Sequence, residues 1–252
     1  MRTVAVMNQK GGVGKTTTSM NLAHALVLAG GRVTLMDMDP QGQVSLGFGV
    51  LANGQGGMDR VLLDHGPIAD ARHQVSDRLY VVPAGPKLGN MELVHEGGSR
   101  RGVRLRQAID EYDTRDEEFV LIDCPPSAGL LGMNALFAAD EVLVPVSSDF
   151  LGLHGLSRML QIFQHLEKVL ERPVTKWVVL TRYNERRRLA RQVREKILDY
   201  MPGRLLATPI RETVALAESP GMGQTIFDYE PHSRGAEDYH ALADDLCHRR
   251  TC

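Results

Sequence analysis

Little in this 252-residue chain suggests covalent or metal stapling. Its three cysteines, Cys124, Cys247 and Cys252, are too few and too scattered for a disulfide framework. No CxxC pair exists, which argues against a thiolate zinc or iron–sulfur site built within one chain. No apolar run approaches the roughly 18 residues that cross a bilayer. The apolar N-terminus is too short for a signal peptide and lacks a small-residue cleavage site, so the expectation is a cytoplasmic protein. Neither sign of charge dominates: 29 Lys and Arg stand against 31 Asp and Glu, a net of −2. That excludes a wholesale basic coat and leaves room for a local one. The weakly hydrophobic, highly charged signature of disorder is also absent, since 43% of residues are hydrophobic and 24% charged. No repeat, low-complexity tract or linker breaks the chain, and its length suits one α/β domain spanning residues 1–252.

What the chain does contain is an alternation. Short runs rich in Val, Leu and Ile recur at 4–7, 32–36, 79–82, 119–122, 141–146, 177–180 and 205–207. Most are apolar throughout, as strands of a parallel sheet covered on both faces must be. Between them, 17–29, 104–112, 156–170, 188–200 and 236–248 read as helices. The alternation predicts βαβ units and a doubly wound, mostly parallel twisted sheet with helices on both faces. The glycine-rich stretch 47–58 reads as a mobile loop rather than a domain boundary.

The first strand runs into Lys10-Gly11-Gly12-Val13-Gly14-Lys15-Thr16-Thr17, and a helix follows. Strand, glycine turn and helix N-terminus are the context of a phosphate-binding loop. Glycines let backbone N–H groups turn inward, and the helix N-terminus adds positive potential. Lys15 supplies a cation for β- and γ-phosphates, and the Thr16 hydroxyl is a candidate Mg²⁺ ligand. The common GxxxxGK[ST] pattern would put glycine at position 9. Gln9 stands there and Lys10 follows, so this is a variant with a second lysine.

The second strand ends in Asp37-Met38-Asp39-Pro40-Gln41-Gly42. Ligands gather at the C-terminal ends of strands in such sheets. Of the two acids, Asp39 lies further out from the strand end and is the one expected to face an attacking water. The strand 119–122 ends in Asp123-Cys124-Pro125-Pro126-Ser127. An acid closing an apolar strand suits a Mg²⁺ site, direct or through water. Thr16, Asp123 and Asp39 are the candidate metal-side residues. Cys124 reads as a small buried residue and not a nucleophile.

From Arg182 to Lys196 the chain carries seven basic residues against Glu185 and Glu195. On a helix, Arg187, Arg191 and Arg194 fall at i, i+4 and i+7 and share a face, with Leu189, Val193 and Ile197 turned to the core. Such a stripe is either a solvated face or a sequence-independent phosphate contact; no base-reading motif or interleaved aromatics accompany it. A smaller cluster, Ser99-Arg100-Arg101-Gly102-Val103-Arg104-Leu105-Arg106, belongs either to the same surface or to a partner site.

KGGVGKTT, DMDPQG and DCPPS in this order resemble the ParA family of deviant-Walker ATPases, which partition chromosomes and plasmids. Further likeness lies in Asn8-Gln9, Asn21-Leu22-Ala23, Val82-Pro83-Ala84, Thr181-Arg182-Tyr183, Ala217-Glu218-Ser219-Pro220 and Ser233-Arg234-Gly235-Ala236, across essentially the whole chain. The resemblance implies ATP and Mg²⁺ as ligands and a nucleotide-sandwich homodimer. In it, Lys10 would reach the partner's phosphates, Asp39 would position water, and Lys15, Thr16 and Asp123 would hold phosphate and metal. It implies a base pocket near Arg182 and Pro209, although Pro209-Ile210-Arg211 departs from the family order. It further implies non-specific binding of double-stranded DNA by the ATP dimer, a nucleoid-associated location, and a ParB-like partner that stimulates hydrolysis.

Rivals on the same loop are separable. Nitrogenase iron protein and iron–sulfur scaffold ATPases need cysteine ligands at a dimer interface, and the cysteines here are misplaced. MinD-type or other cargo-positioning ATPases are the alternative; MinD-type chains end in an amphipathic membrane helix, and the Asp244-Asp245 pair in the last helix argues against insertion. A metabolic ligase or small-molecule kinase needs a substrate pocket that no motif marks, and a non-hydrolysing scaffold has no use for Asp39. Larger ParA members carry an N-terminal helix-turn-helix extension; with the first strand beginning near residue 3, a short chromosome-type member without it is expected.

Overall fold

The computed structural model describes residues 1–50, 56–93, 102–112, 118–127, 129–170 and 173–252. The strands are β1 (Arg2–Val6), β2 (Val33–Asp37), β3 (His73–Ser76), β4 (Leu79–Val82), β5 (Phe119–Asp123), β6 (Glu141–Ser147) and β7 (Thr175–Thr181). The helices are α1 (Lys15–Leu28), α2 (Gln43–Gly47), α3 (Met58–Leu63), α4 (Ile68–Ala71), α5 (Asn90–Leu93), α6 (Arg104–Glu111), α7 (Leu130–Ala138), α8 (Phe150–Leu170), α9 (Arg188–Tyr200), α10 (Val214–Glu218), α11 (Ile226–Tyr229) and α12 (Arg234–His248), with a 3₁₀ turn at Ser219–Met222.

All seven strands join one sheet in the order β3-β4-β2-β5-β1-β6-β7. Every pairing is parallel except β3 with β4. This is the expected doubly wound α/β sheet. Successive residues of β1 supply opposite faces: Val4 and Val6 join one core with α1 and α12, and Ala5 joins the other with α7, α8 and α9. Both faces are covered, which is why β2 and β5 are buried at every position. Parallel register sets strand ends side by side: Asp123 lies opposite Val6 on one edge of β5 and opposite Asp37 on the other.

Two expectations need correction, and one strand was not expected. Residues 205–207 form no strand; Leu205 and Leu206 make only isolated bridges, to Val178 and Thr251. Pro209 follows closely and has no N–H to extend a ladder. The antiparallel edge strand β3 went unanticipated because three of its four residues, His73, Gln74 and Ser76, are polar and none is fully buried. In α9, Leu189 is 46% exposed, and Ala190 takes the buried position with Val193 and Ile197.

Of the glycine-rich stretch, 51–55 lie outside the described residues, as do Ser99, Arg100 and Arg101 of the small basic cluster. The rest of that cluster is engaged within the fold: Arg104 donates to the Leu62 carbonyl at 2.6 Å, and Arg106 pairs with Asp110. The apolar face of α12 is spent on α1 through Tyr239, Leu242 and Leu246. Among the described residues, no helix is long and apolar enough to cross a membrane.

Candidate nucleotide site

The loop between β1 and α1 is a glycine cradle. Gly12 and Gly14 have φ of 72° and 83°, a left-handed conformation that strains any L side chain. Gly14 caps α1, whose first turn carries no acidic residue, so its free N–H groups and dipole face an incoming anion unopposed. The loop is braced from β7: the Thr181 hydroxyl donates to the Val13 carbonyl at 2.8 Å. Lys15 is the first residue of α1 and only 8% exposed. Burial pulls its ammonium below the usual lysine value, while the carboxylates of Asp123 and Asp39 push it back up.

Beneath the cradle lies an acid cluster. Asp123 accepts from the Thr16 hydroxyl at 2.9 Å and from the Ser19 hydroxyl at 2.7 Å. Burial raises its carboxyl to about 6 in spite of those two bonds and of Lys15. Asp37, also fully buried, accepts from the Asp39 N–H at 3.0 Å and the Val44 N–H at 3.2 Å. Burial and the neighbouring Asp123 raise it well above the usual carboxylate range. Asp37 therefore serves the chain turn, and half-buried Asp39 stands further out with one oxygen taken by the Gln41 N–H. Sequence reading missed Ser19 and the Asp37–Asp123 juxtaposition. The first was signalled by a polar residue three positions beyond Thr16 on the same helix face, and the second needed the strand order. Cys124 is fully buried, and burial pushes its thiol well up.

Lys10 is not aimed into its own cradle. Its Nζ lies 2.8 and 2.9 Å from the two Asp149 carboxylate oxygens and donates to the Ser147 hydroxyl at 3.0 Å. Asp149 also accepts the Gly152 N–H at 2.7 Å, at the start of α8. The Asp149 carboxyl sits below its ordinary value: burial alone would raise it, and the hydrogen bonds from Lys10, Ser147 and Gly152 outweigh that.

The two base-side residues are not brought into one pocket. Arg182 lines a cleft of 600 Å³ together with Val13, Gly14 and Thr17 of the cradle. Pro209 lines a neighbouring cleft of 620 Å³ with Tyr183, Asn184 and Thr208; Arg211 and Glu212 border both. Arg211 itself is held by Asp238, and it also reaches Glu237.

The arginine stripe is only partly a stripe. Arg187 lies before α9 in extended backbone, 3.8 Å from Glu212. Arg191 is exposed and donates one N–H to the Glu185 carbonyl. Arg194 is half-buried and turns toward the Cys252 sulfur at 3.2 Å.

Residues 1–176 match the protein family described as AAA domain. The chromosome partitioning protein ParA of Myxococcus xanthus is 38% identical over 257 residues, covering 99% of this chain and 89% of that protein. The chain belongs to the ParA/Soj family of partition ATPases. The sporulation initiation inhibitor protein Soj of Bacillus subtilis is likewise 38% identical, over 246 residues, covering 96% of this chain and 97% of its own. Among solved structures, cobyrinic acid a,c-diamide synthase from Mycobacterium smegmatis, with bound ADP and magnesium, is 31% identical with a TM-score of 0.83, covering 98% of this chain and 94% of that one. In this ParA/Soj-family chain, the family match thus runs from β1 into β7 and includes the cradle and all three acids of the cluster.

Proposed function

We propose that residues 1–252 act as a single ATPase unit that binds ATP with Mg²⁺, closes into a homodimer, and holds double-stranded DNA in a nucleotide-dependent way. The observation that carries this reading is the convergence of Lys15, Thr16, Asp123 and Asp39 at one glycine cradle. The N–H groups of Gly11 to Thr17 cradle the phosphates, and Lys15 neutralises charge on the β- and γ-phosphates.

The donor set suits Mg²⁺, since Thr16 and Asp123 offer only hard oxygen atoms. Among the described residues no cluster of three or more His, Cys, Asp or Glu is suited to enclose a metal. A cation that takes most of its ligands from phosphate and water needs no such cage. When bound, the ion neutralises phosphate charge in the transition state. Asp39 orients the attacking water, from a carboxylate oxygen not used by its own turn. The ADP and magnesium bound to the Mycobacterium smegmatis relative support the ligand choice.

Lys10 supplies the dimer switch. Held in cis by Asp149 and Ser147, it crosses to the partner's phosphates when ATP is present, so that closure depends on the triphosphate. Arg187 and Arg191, with a smaller share from Arg194, contact DNA phosphates without reading bases. A ParB-like partner stimulates hydrolysis and release, and the ATP-bound form is nucleoid-associated. The test is DNA retention with ATP, ADP and no nucleotide, on the native chain and on Arg191→Ala. Retention is expected only with ATP and reduced in the variant. Equal retention in all three states refutes the switch.

A further inference from the structure

We propose that Ser148 is a positioning residue for the nucleotide. Its hydroxyl pins the main chain of Arg182 in the left-handed conformation that shapes the base side of the cleft. Arg182 has a φ of 49°, a region that non-glycine residues occupy only when their surroundings over-determine it. Those surroundings are visible. The Ser148 hydroxyl donates to the Arg182 carbonyl at 2.8 Å. The residues on either side of Arg182 are tied as well: the Thr181 hydroxyl to Val13 of the cradle, the Thr181 carbonyl to the Ser148 N–H, and the Tyr183 N–H to the Ile210 carbonyl at 3.0 Å. Of these bonds, the one from the Ser148 side chain acts on Arg182 itself.

Ser148 is well placed to hold this kink. It sits between Ser147 and Asp149, which grip Lys10, and Asp149 is fixed in turn to the start of α8. The kinked residue lines the same cleft as Val13, Gly14 and Thr17. A nucleotide with its phosphates in the cradle therefore extends its base along Arg182. This step rests on the ATP reading above. Loss of the hydroxyl lets residue 182 relax toward ordinary backbone and blurs the base-side wall. The cradle and Asp39 stay untouched, so the effect falls on binding rather than on chemistry.

The experiment compares steady-state ATP hydrolysis, and binding of a fluorescent N-methylanthraniloyl ATP with Mg²⁺, in four variants. Ser148→Ala raises KM and the dissociation constant about fivefold, as expected for one lost neutral hydrogen bond, with kcat within about twofold of the native value. Ser148→Thr, which keeps the hydroxyl, restores both. Arg182→Gly adopts the left-handed conformation freely, so Ser148→Ala in that background adds no further loss. Unchanged KM in Ser148→Ala, a Thr variant as impaired as the Ala variant, or an undiminished Ala effect on the Arg182→Gly background overturns the proposal. A native chain that neither binds nor hydrolyses ATP refutes the underlying reading instead.

Discussion

Replacing Asp149 by Asn frees Lys10 without unfolding its surroundings. The ion pair is short but open to water, with 24% of the Lys10 and 48% of the Asp149 side chain exposed. Solvent screening therefore holds its value to about 0.5–1 kcal/mol per protomer. In the proposed homodimer two such latches would open on closure, so the native chain would lose about 1–2 kcal/mol that the variant does not. At roughly 1.4 kcal/mol per tenfold, that is a dimer dissociation constant about 5- to 30-fold tighter in Asp149→Asn. Asn is the right substitution because its side-chain oxygen still accepts the Gly152 N–H, whereas Ala would also cost about 1 kcal/mol at the start of α8. The pH must be neutral. The Asp149 carboxyl lies below its ordinary value, so the latch holds above the usual carboxylate range and opens only as pH falls through that lowered value. Sedimentation equilibrium with a non-hydrolysable ATP analogue reads the constant at low and high salt. The gain should shrink in high salt. A variant that dimerises no better than the native chain at low salt refutes the latch, and one that dimerises worse shows that Asp149 serves the closed state instead.

Asp39→Ala should lower ATP turnover at least about 100-fold in a phosphate-release assay while leaving nucleotide binding intact, since only water orientation is lost. For Asp123, raised to about 6, protonation accompanies folding: the unliganded protein gains stability as pH falls through that value and levels off below the ordinary carboxylate range. Thermal melts at stepped pH should show this gain, and Asp123→Asn should reduce it, leaving the part that the buried Asp37 carboxyl contributes. In DNA titrations against salt, each phosphate contact adds about 0.9 to the log–log slope, so Arg191→Ala in a dimer should reduce it by about 2, and Arg194→Ala by less.

The central strands were legible because burial on both faces leaves no polar position to confuse the pattern, as in Phe-Val-Leu-Ile of β5. The cradle was legible because local sequence sets its backbone: glycine at 12 and 14 is what a positive φ favours. What escaped was non-local. That Asp37 and Asp123 face each other follows from β2 pairing with β5 across 86 residues of chain, a fact of strand order. The Lys10 latch joins residues 139 apart, and no spacing rule reaches that far. Helical periodicity placed Arg187, Arg191 and Arg194 on one face correctly as arithmetic. It failed at the ends, because α9 begins only at Arg188 and because the C-terminal residues return beside Arg194.

Under the proposed function, that failure bears on how DNA and nucleotide would communicate. Arg191 spends only one of its five N–H donors on the Glu185 carbonyl, which suits it to the proposed phosphate contact. Arg187 is different. Its nearby carboxylate, Glu212, borders the cleft that Arg182 and the cradle also line. A triphosphate and base entering that cleft add negative charge and bulk on the Glu212 side. The stripe nearest the nucleotide is therefore the part whose pairing the nucleotide can alter, and the part further along α9 is set by the fold alone. Under the proposed function, the nucleotide would act locally through Arg187 and globally through dimer closure, which would double every phosphate contact at once. The second effect is the larger, since doubling the contacts doubles the salt exponent of binding, whereas freeing one arginine changes it by about one unit per protomer.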